Sequence, residues 1–95
     1  MKARATVWVF NGSGGSFPSG VFSGREKAED WIRLHKLSGT LTEYPLDMGI
    51  YDWAIENGFF TPRKDHQLKA DFIGTFSSAS QKHDHYVNGE NHGRE

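Results

Sequence analysis

The segment His83-Asp84-His85 places two imidazoles at i and i+2. On an extended strand such side chains point the same way, so the pair could bind Zn²⁺ or Cu²⁺ if a third ligand converged. His92 and His66 could reach, but neither spacing is a recognised metal signature. His35 falls at the end of an apolar helical face, where a structural or C-capping role suits it better than catalysis. A second candidate is the glycine-rich stretch Gly12, Ser13, Gly14 and Gly15, which follows an apolar β-branched run. Its N–H groups could cradle an anion or a nucleotide phosphate. A phosphate-binding loop, however, needs a lysine after its last glycine and a helix beyond it. Here Ser16 follows, and the next segment reads as a strand. The favoured reading is a hairpin loop, with the anion site kept as an alternative.

Other catalytic patterns are weaker. No serine sits in a G-x-S-x-G elbow, and Gly12-Ser13-Gly14 lies in a turn. Asp52 and Glu56 stand at i and i+4, the spacing of a solvated helix face rather than of two acids in a cleft. These absences point away from an enzyme and from any cofactor. A small metal-dependent or hydrolytic enzyme using His83 and His85 remains the alternative. A more informative cluster is Glu43, Tyr44, Asp47, Tyr51, Asp52 and Glu56, in which acids interleave with tyrosines. Exposed rings among carboxylates suit docking of a basic protein partner. Within this stretch Trp53 is assigned to the core and Tyr51 to the surface.

The elements that must position these residues follow from periodicity. Thr6–Phe10 is β-branched and aromatic throughout, a central strand; Phe17–Phe22 reads as its hairpin partner, with Pro18 at the start or on an edge. Ser23-Gly24-Arg25-Glu26 is a capping box, opening a helix from about Gly24 to Lys36. Its apolar face is Ala28, Trp31, Ile32 and His35. Thr40–Tyr44 alternates as a third strand, with Leu41 facing the core. Asp47 reads as the N-cap of a shorter helix from Met48 to Asn57, buried through Ile50, Trp53 and Ala54 and closed by Gly58. Arg63–Gln67 reads as an exposed loop. Phe72, Ile73 and Phe76 suit a helical turn or a short strand, and His83–Val87 a closing strand. The polar segment 88–95 is expected to fray. The fold class is therefore α+β: a small antiparallel sheet with a ββαβ nucleus, one main helix and one or two shorter ones.

Composition sets the outer limits. Ninety-five residues suit a single domain, 1–95, and the chain has no cysteine, which excludes disulfides, thiolate metal sites and a thiol nucleophile. Aromatic residues make up 14%, so the core is built on rings. The net charge of −1 does not suit nucleic-acid binding. That near-neutrality conceals an asymmetry. Residues 1–40 carry six basic groups and three acids, whereas residues 41–95 carry five basic groups and nine acids. After Met1-Lys2-Ala3-Arg4 the apolar run stops at Phe10, too short for a secretory core, and no run approaches a membrane span. The expectation is a soluble cytoplasmic protein that binds no membrane.

The stretches Val7-Trp8-Val9-Phe10-Asn11-Gly12, Phe17–Ser23, Ala28 with Trp31-Ile32, Leu37–Thr42, Tyr44-Pro45 and Tyr51–Ala54 together resemble small uncharacterised bacterial domains of unknown function. The resemblance runs to about Tyr86 and carries no catalytic residues with it. Proteins of this type and size often resemble immunity proteins, which neutralise a toxin by binding it. That analogy of size and style, with the missing catalytic constellation and the acidic second half, leads to the expectation of a non-catalytic protein-binding module, most concretely an immunity protein whose partner is a basic toxin domain.

Overall fold

Thr6–Gly12 forms the first strand, β1, as its β-branched and aromatic residues favour. The computed structural model describes residues 5–94; the basic start at Lys2 and Arg4, and Glu95 at the other end, lie outside the described residues. The chain divides into two compact units, Met1–Leu46 with Gln81–Glu95, and Asp47–Ser80.

In the first unit β1 is followed by β2 (Gly20–Phe22), α1 (Arg25–Leu34), β3 (Gly39–Pro45), β4 (His83–Val87) and β5 (Glu90–Arg94). They form one antiparallel sheet in the order β2-β1-β3-β4-β5. The fold class is α+β, as the patterning predicts. Period two sends Trp8, Phe10, Leu41 and Tyr86 to one face, where they meet Ala28 and Ile32 of α1. Phe22, Trp31 and Leu37 close the edges of this core. Trp31 lies edge-on to Phe10 at 5.9 Å and tilted on Phe22 at 5.4 Å. Phe10, Ile32 and Leu41 are fully buried, each contributing about 1.5–3 kcal/mol.

Several boundaries differ from the sequence reading, each for a physical reason. The second strand omits Phe17 and Pro18, and Phe17 is exposed. Pro18 has no N–H, so pairing starts with Ser19, whose N–H donates to Phe10 O at 2.9 Å. The capping box at Ser23 does not form. The N-cap of α1 is Gly24, without a side-chain cap, which leaves Ser23 one residue outside the helix. At the other end Lys36 takes the left-handed conformation, φ 53°, and Leu37 N–H donates to Ile32 O at 2.9 Å. This is a Schellman closure with lysine where glycine is usual. The segment expected to fray is a strand. Asn88 (φ 51°) and Gly89 (φ 87°) form a two-residue turn that pairs Val87 with Glu90. Asn-Gly is the preferred sequence for such a turn, which makes β5 possible despite its polarity. The turn is anchored as well: Gly89 N–H donates to Leu37 O at 2.8 Å, and Asn88 N–H to Ser38 Oγ at 3.0 Å.

The second unit holds α2 (Ile50–Glu56), a 3₁₀ turn at Asp65–Leu68 and α3 (Ala70–Gly74). Asp47 is not the N-cap of α2. That position is Gly49, whose carbonyl accepts the first helical bond from Trp53 N–H at 2.9 Å. Gly58 does close the helix, at φ 77°, with Phe59 N–H donating to Ala54 O at 2.8 Å. Part of the expected Arg63–Gln67 loop is the 3₁₀ turn, because Gln67 Oε1 accepts from Arg63 N–H (2.7 Å) and Lys64 N–H (3.1 Å) and curls the chain. The interior is a ring cluster. Tyr51 contacts Phe60, Phe72 and Phe76 with centroids 5.6–6.3 Å away, and Phe60 lies 4.9 Å from Phe76.

Two substitutions separate packing from backbone conformation. A Cβ at Gly39 would collide with the Asn11 carbonyl oxygen and lie 2.9 Å from Gly12 Cα. Gly39→Ala therefore lowers the unfolding free energy by about 1–3 kcal/mol in urea titrations. Lys36→Gly relieves the left-handed strain and raises it by about 0.5–1 kcal/mol in the same assay.

Candidate functional site

The six acidic and aromatic residues singled out in the sequence are divided between the two compact units. Glu43 and Tyr44 are neighbours on β3, so they point to opposite faces of the sheet. Glu43 Oε2 accepts from Thr6 Oγ1 at 2.8 Å, and Tyr44 pairs with Val7. Asp47, Tyr51, Asp52 and Glu56 belong to the second unit. There the sequence assignment of the rings is reversed. Tyr51 is 8% exposed, and its hydroxyl donates to Gln67 O at 2.9 Å. Trp53 is only half-buried. Tyr51 and Trp53 are two residues apart, about 200° around the helix, so burying one rather than the other turns α2 nearly to its opposite face. The deciding force lies outside the helix: Phe60, Phe72 and Phe76 gather where Tyr51 points.

The exposed side of α2 is consequently more apolar than the sequence reading allows. Asp52, Ile55 and Glu56 stand at i, i+3 and i+4 on α2, and they are exposed, as is Phe59 just past the helix end. Phe59 is 54% exposed, and its ring lies against Trp53 with centroids 5.4 Å apart. The Schellman closure at Gly58 holds the two rings together, because it folds the residue after the glycine back onto the helix. Trp53, Ile55 and Phe59 were missed as surface candidates. The available signal was the position of Phe59 directly after the closing glycine.

The glycine-rich loop follows β1 and leads into β2 rather than a helix. Ser13 N–H donates to Ser38 O at 2.9 Å and Gly15 N–H to Gly12 O at 3.0 Å. Two of the N–H groups that an anion would need are thus engaged by carbonyls. His83 and His85 do come together, on the sheet face opposite α1, with ring centroids 5.1 Å apart. Among the described residues no group of three or more His, Cys, Asp or Glu is placed to hold a metal ion. His35 takes the C-capping one of its two expected roles: it is the exposed C-cap of α1, with its ring edge-on to Trp31 at 5.8 Å.

Between the two histidines sits a residue the sequence reading passed over. Asp84 is completely buried on the core face, and its Oδ2 lies 3.2 Å from Arg25 Nε. The Arg25 guanidinium also covers the Trp8 ring at 4.7 Å. Two positions on, the Tyr86 hydroxyl donates to Glu29 Oε2 at 2.7 Å. Burial, then the Glu29 carboxylate, pushes the Tyr86 phenol far above its ordinary range. Beside this pair lies a cleft of about 350 Å³, lined in part by Glu29, Arg33, Lys36, Tyr86, Asn88 and Asn91.

Residues 7–92 match a protein family described as Domain of unknown function (DUF7710). The chain belongs to this family. The matched span reaches from Val7 in β1 to His92 in β5, so it takes in both compact units. It also extends beyond Tyr86, where the sequence resemblance ends, and includes the Asn88-Gly89 turn. No curated protein and no solved structure matches the chain. Among the described residues no helix is long and apolar enough to cross a membrane.

The raised Tyr86 pKa has a sign that can be checked. A folded-state pKa above the unfolded value of 10.0 favours the neutral phenol in the fold, so its contribution is full below that pH. It is lost as pH rises through the range in which only the unfolded phenol ionises. Wild-type stability therefore falls above about pH 10, and Tyr86→Phe removes up to about 1.4 kcal/mol per pH unit from that slope. Urea titrations between about pH 9 and 11 would read the difference.

Proposed function

We propose that this chain is a non-catalytic protein-binding module that works in the cytoplasm. Its most concrete form is a bacterial immunity protein that neutralises a toxin by direct binding. The observation that carries this reading is the exposed face of α2, where the Trp53–Phe59 ring pair and Ile55 are flanked by Asp52 and Glu56. Rigid aromatic groups bury much area at low entropic cost and dominate binding energy at interfaces. Flanking carboxylates add selectivity for a basic partner and speed its approach. The acid excess after residue 40 extends the same preference. Tyr44 and Glu43 are no longer needed for this surface, and Tyr51 serves it only by holding α2 in place.

The test uses the full chain and three exposed substitutions, Asp52→Lys, Glu56→Lys and Phe59→Ser. The wild type should retain a stoichiometric basic polypeptide from a native lysate and protect cells that express that polypeptide. Each substitution should weaken the purified pair by at least about tenfold, near 1.4 kcal/mol, with circular dichroism unchanged. For the charge reversals the loss should be mainly in association rate and should shrink as salt is added. Equal binding by all three variants would assign the partner to another surface. Repeated failure to recover any stoichiometric partner would overturn the reading.

A further inference from the structure

The alternation of β4 separates three chemistry-bearing residues in a way that the α2 surface does not use. Asp84 points into the core, and His83 and His85 point to the other face of the sheet. Their neighbours across the ladders are small. Thr42 stands opposite His83, and Thr40 and Gly93 flank His85 on either side. Nothing bulky in these paired positions separates or covers the two rings, whose centroids lie 5.1 Å apart with planes at 90°. His85 is exposed and His83 half-buried.

The His83 ring is held from behind. Its Nδ1 lies 2.8 Å from Gln81 O, and because a carbonyl oxygen can only accept, Nδ1 carries the proton. With the proton placed there, Nε2 is the nitrogen left to face a metal. Gln81 is itself buried, and its Nε2 donates to Glu43 O at 3.1 Å. A backbone carbonyl fixing the tautomer of an imidazole is the usual outer support of a metal-ligating histidine. Below the rings, the Arg25–Asp84 pair fixes the strand that carries them. The His83 ring is thus oriented in advance of any ligand, and His85 is carried beside it on the same strand.

We propose that His83 and His85 form a surface chelate for Cu²⁺. Two imidazoles with centroids 5.1 Å apart supply two nitrogen donors to this ion, which stands highest in the divalent series and accepts such donors in a tetragonal plane. Water fills the remaining positions. Zinc is the weaker fit, because its sites draw three or four donors from the protein. No group of three or more such ligands converges among the described residues. The site takes the free ion and needs no redox partner.

The proposal is tested by titrating the full chain with Cu²⁺ alone. Binding is followed by nitrogen hyperfine structure in electron spin resonance and by paramagnetic broadening of the histidine ring protons. The first equivalent should broaden His83 and His85 before His35, His66 and His92. His85→Gln and His83→Gln should each weaken binding by at least about tenfold, the scale on which even outer-shell partners act. His35→Gln should leave the affinity unchanged, and Zn²⁺ should bind at least about tenfold more weakly than Cu²⁺. His85 is exposed, so its variant keeps the fold and provides the test even if His83→Gln does not. Unchanged Cu²⁺ affinity in the double variant, or first broadening at another histidine, would overturn the site.

Discussion

The buried ion pair between Arg25 and Asp84 governs the first unit. A carboxylate with no exposed surface costs several kcal/mol to desolvate, and only a close cation makes that tolerable. Arg25 meets the need from the first turn of α1 with Nε 3.2 Å away, while its guanidinium rests on Trp8. The pair therefore links a helix start in the first third of the chain to a strand near its end. It also selects register. A slip of one residue in β4 would turn Asp84 to the open face and press an imidazole into the core, leaving Arg25 unmatched. Strand identity, helix placement and the display of His83 and His85 all follow from this one arrangement.

Aromatic residues are distributed to suit two interiors. In the first unit Trp31 bridges Phe10 and Phe22, so the main helix is docked by rings packed edge-on and tilted. In the second, Tyr51, Phe60, Phe72 and Phe76 form a cluster with little aliphatic filling, and the phenol caps it by donating to Gln67 O. Short elements such as α2 and α3 could not persist in water alone. The ring cluster gives them a shared interior, and in doing so leaves Trp53 half-buried and Phe59 exposed. The surface proposed to bind a partner is thus a by-product of which ring won the core.

Local patterning made much of the fold legible. The β-branched run around Val7 and Val9, the alternation about Leu41 and the helical face of Ala28 and Ile32 each report a short-range periodicity, and each appears as an element where expected. Gly58 likewise needed only a left-handed residue after a helix. The errors arise where two local signals compete. Ser23 and Asp47 are good caps, yet both helices begin one or two residues later, at Gly24 and Gly49. The polar composition of residues 90–94 outweighed the Asn88-Gly89 turn, which is itself a strong local signal for a hairpin.

The sequence by itself determined the α+β class, the central strand, the main helix, the parity that puts His83 and His85 on one face, and membership of a family of small domains. These depend on backbone periodicity and on residue types within a few positions of one another. Only the tertiary structure decided that Asp84 is buried, that Tyr51 rather than Trp53 is core, and that Glu43 is tied to β1. Each of those outcomes turns on a partner distant in the chain: Arg25 for Asp84, Phe72 and Phe76 for Tyr51, Thr6 for Glu43. Burial is a property of the site a side chain enters, and no window of neighbouring residues contains it.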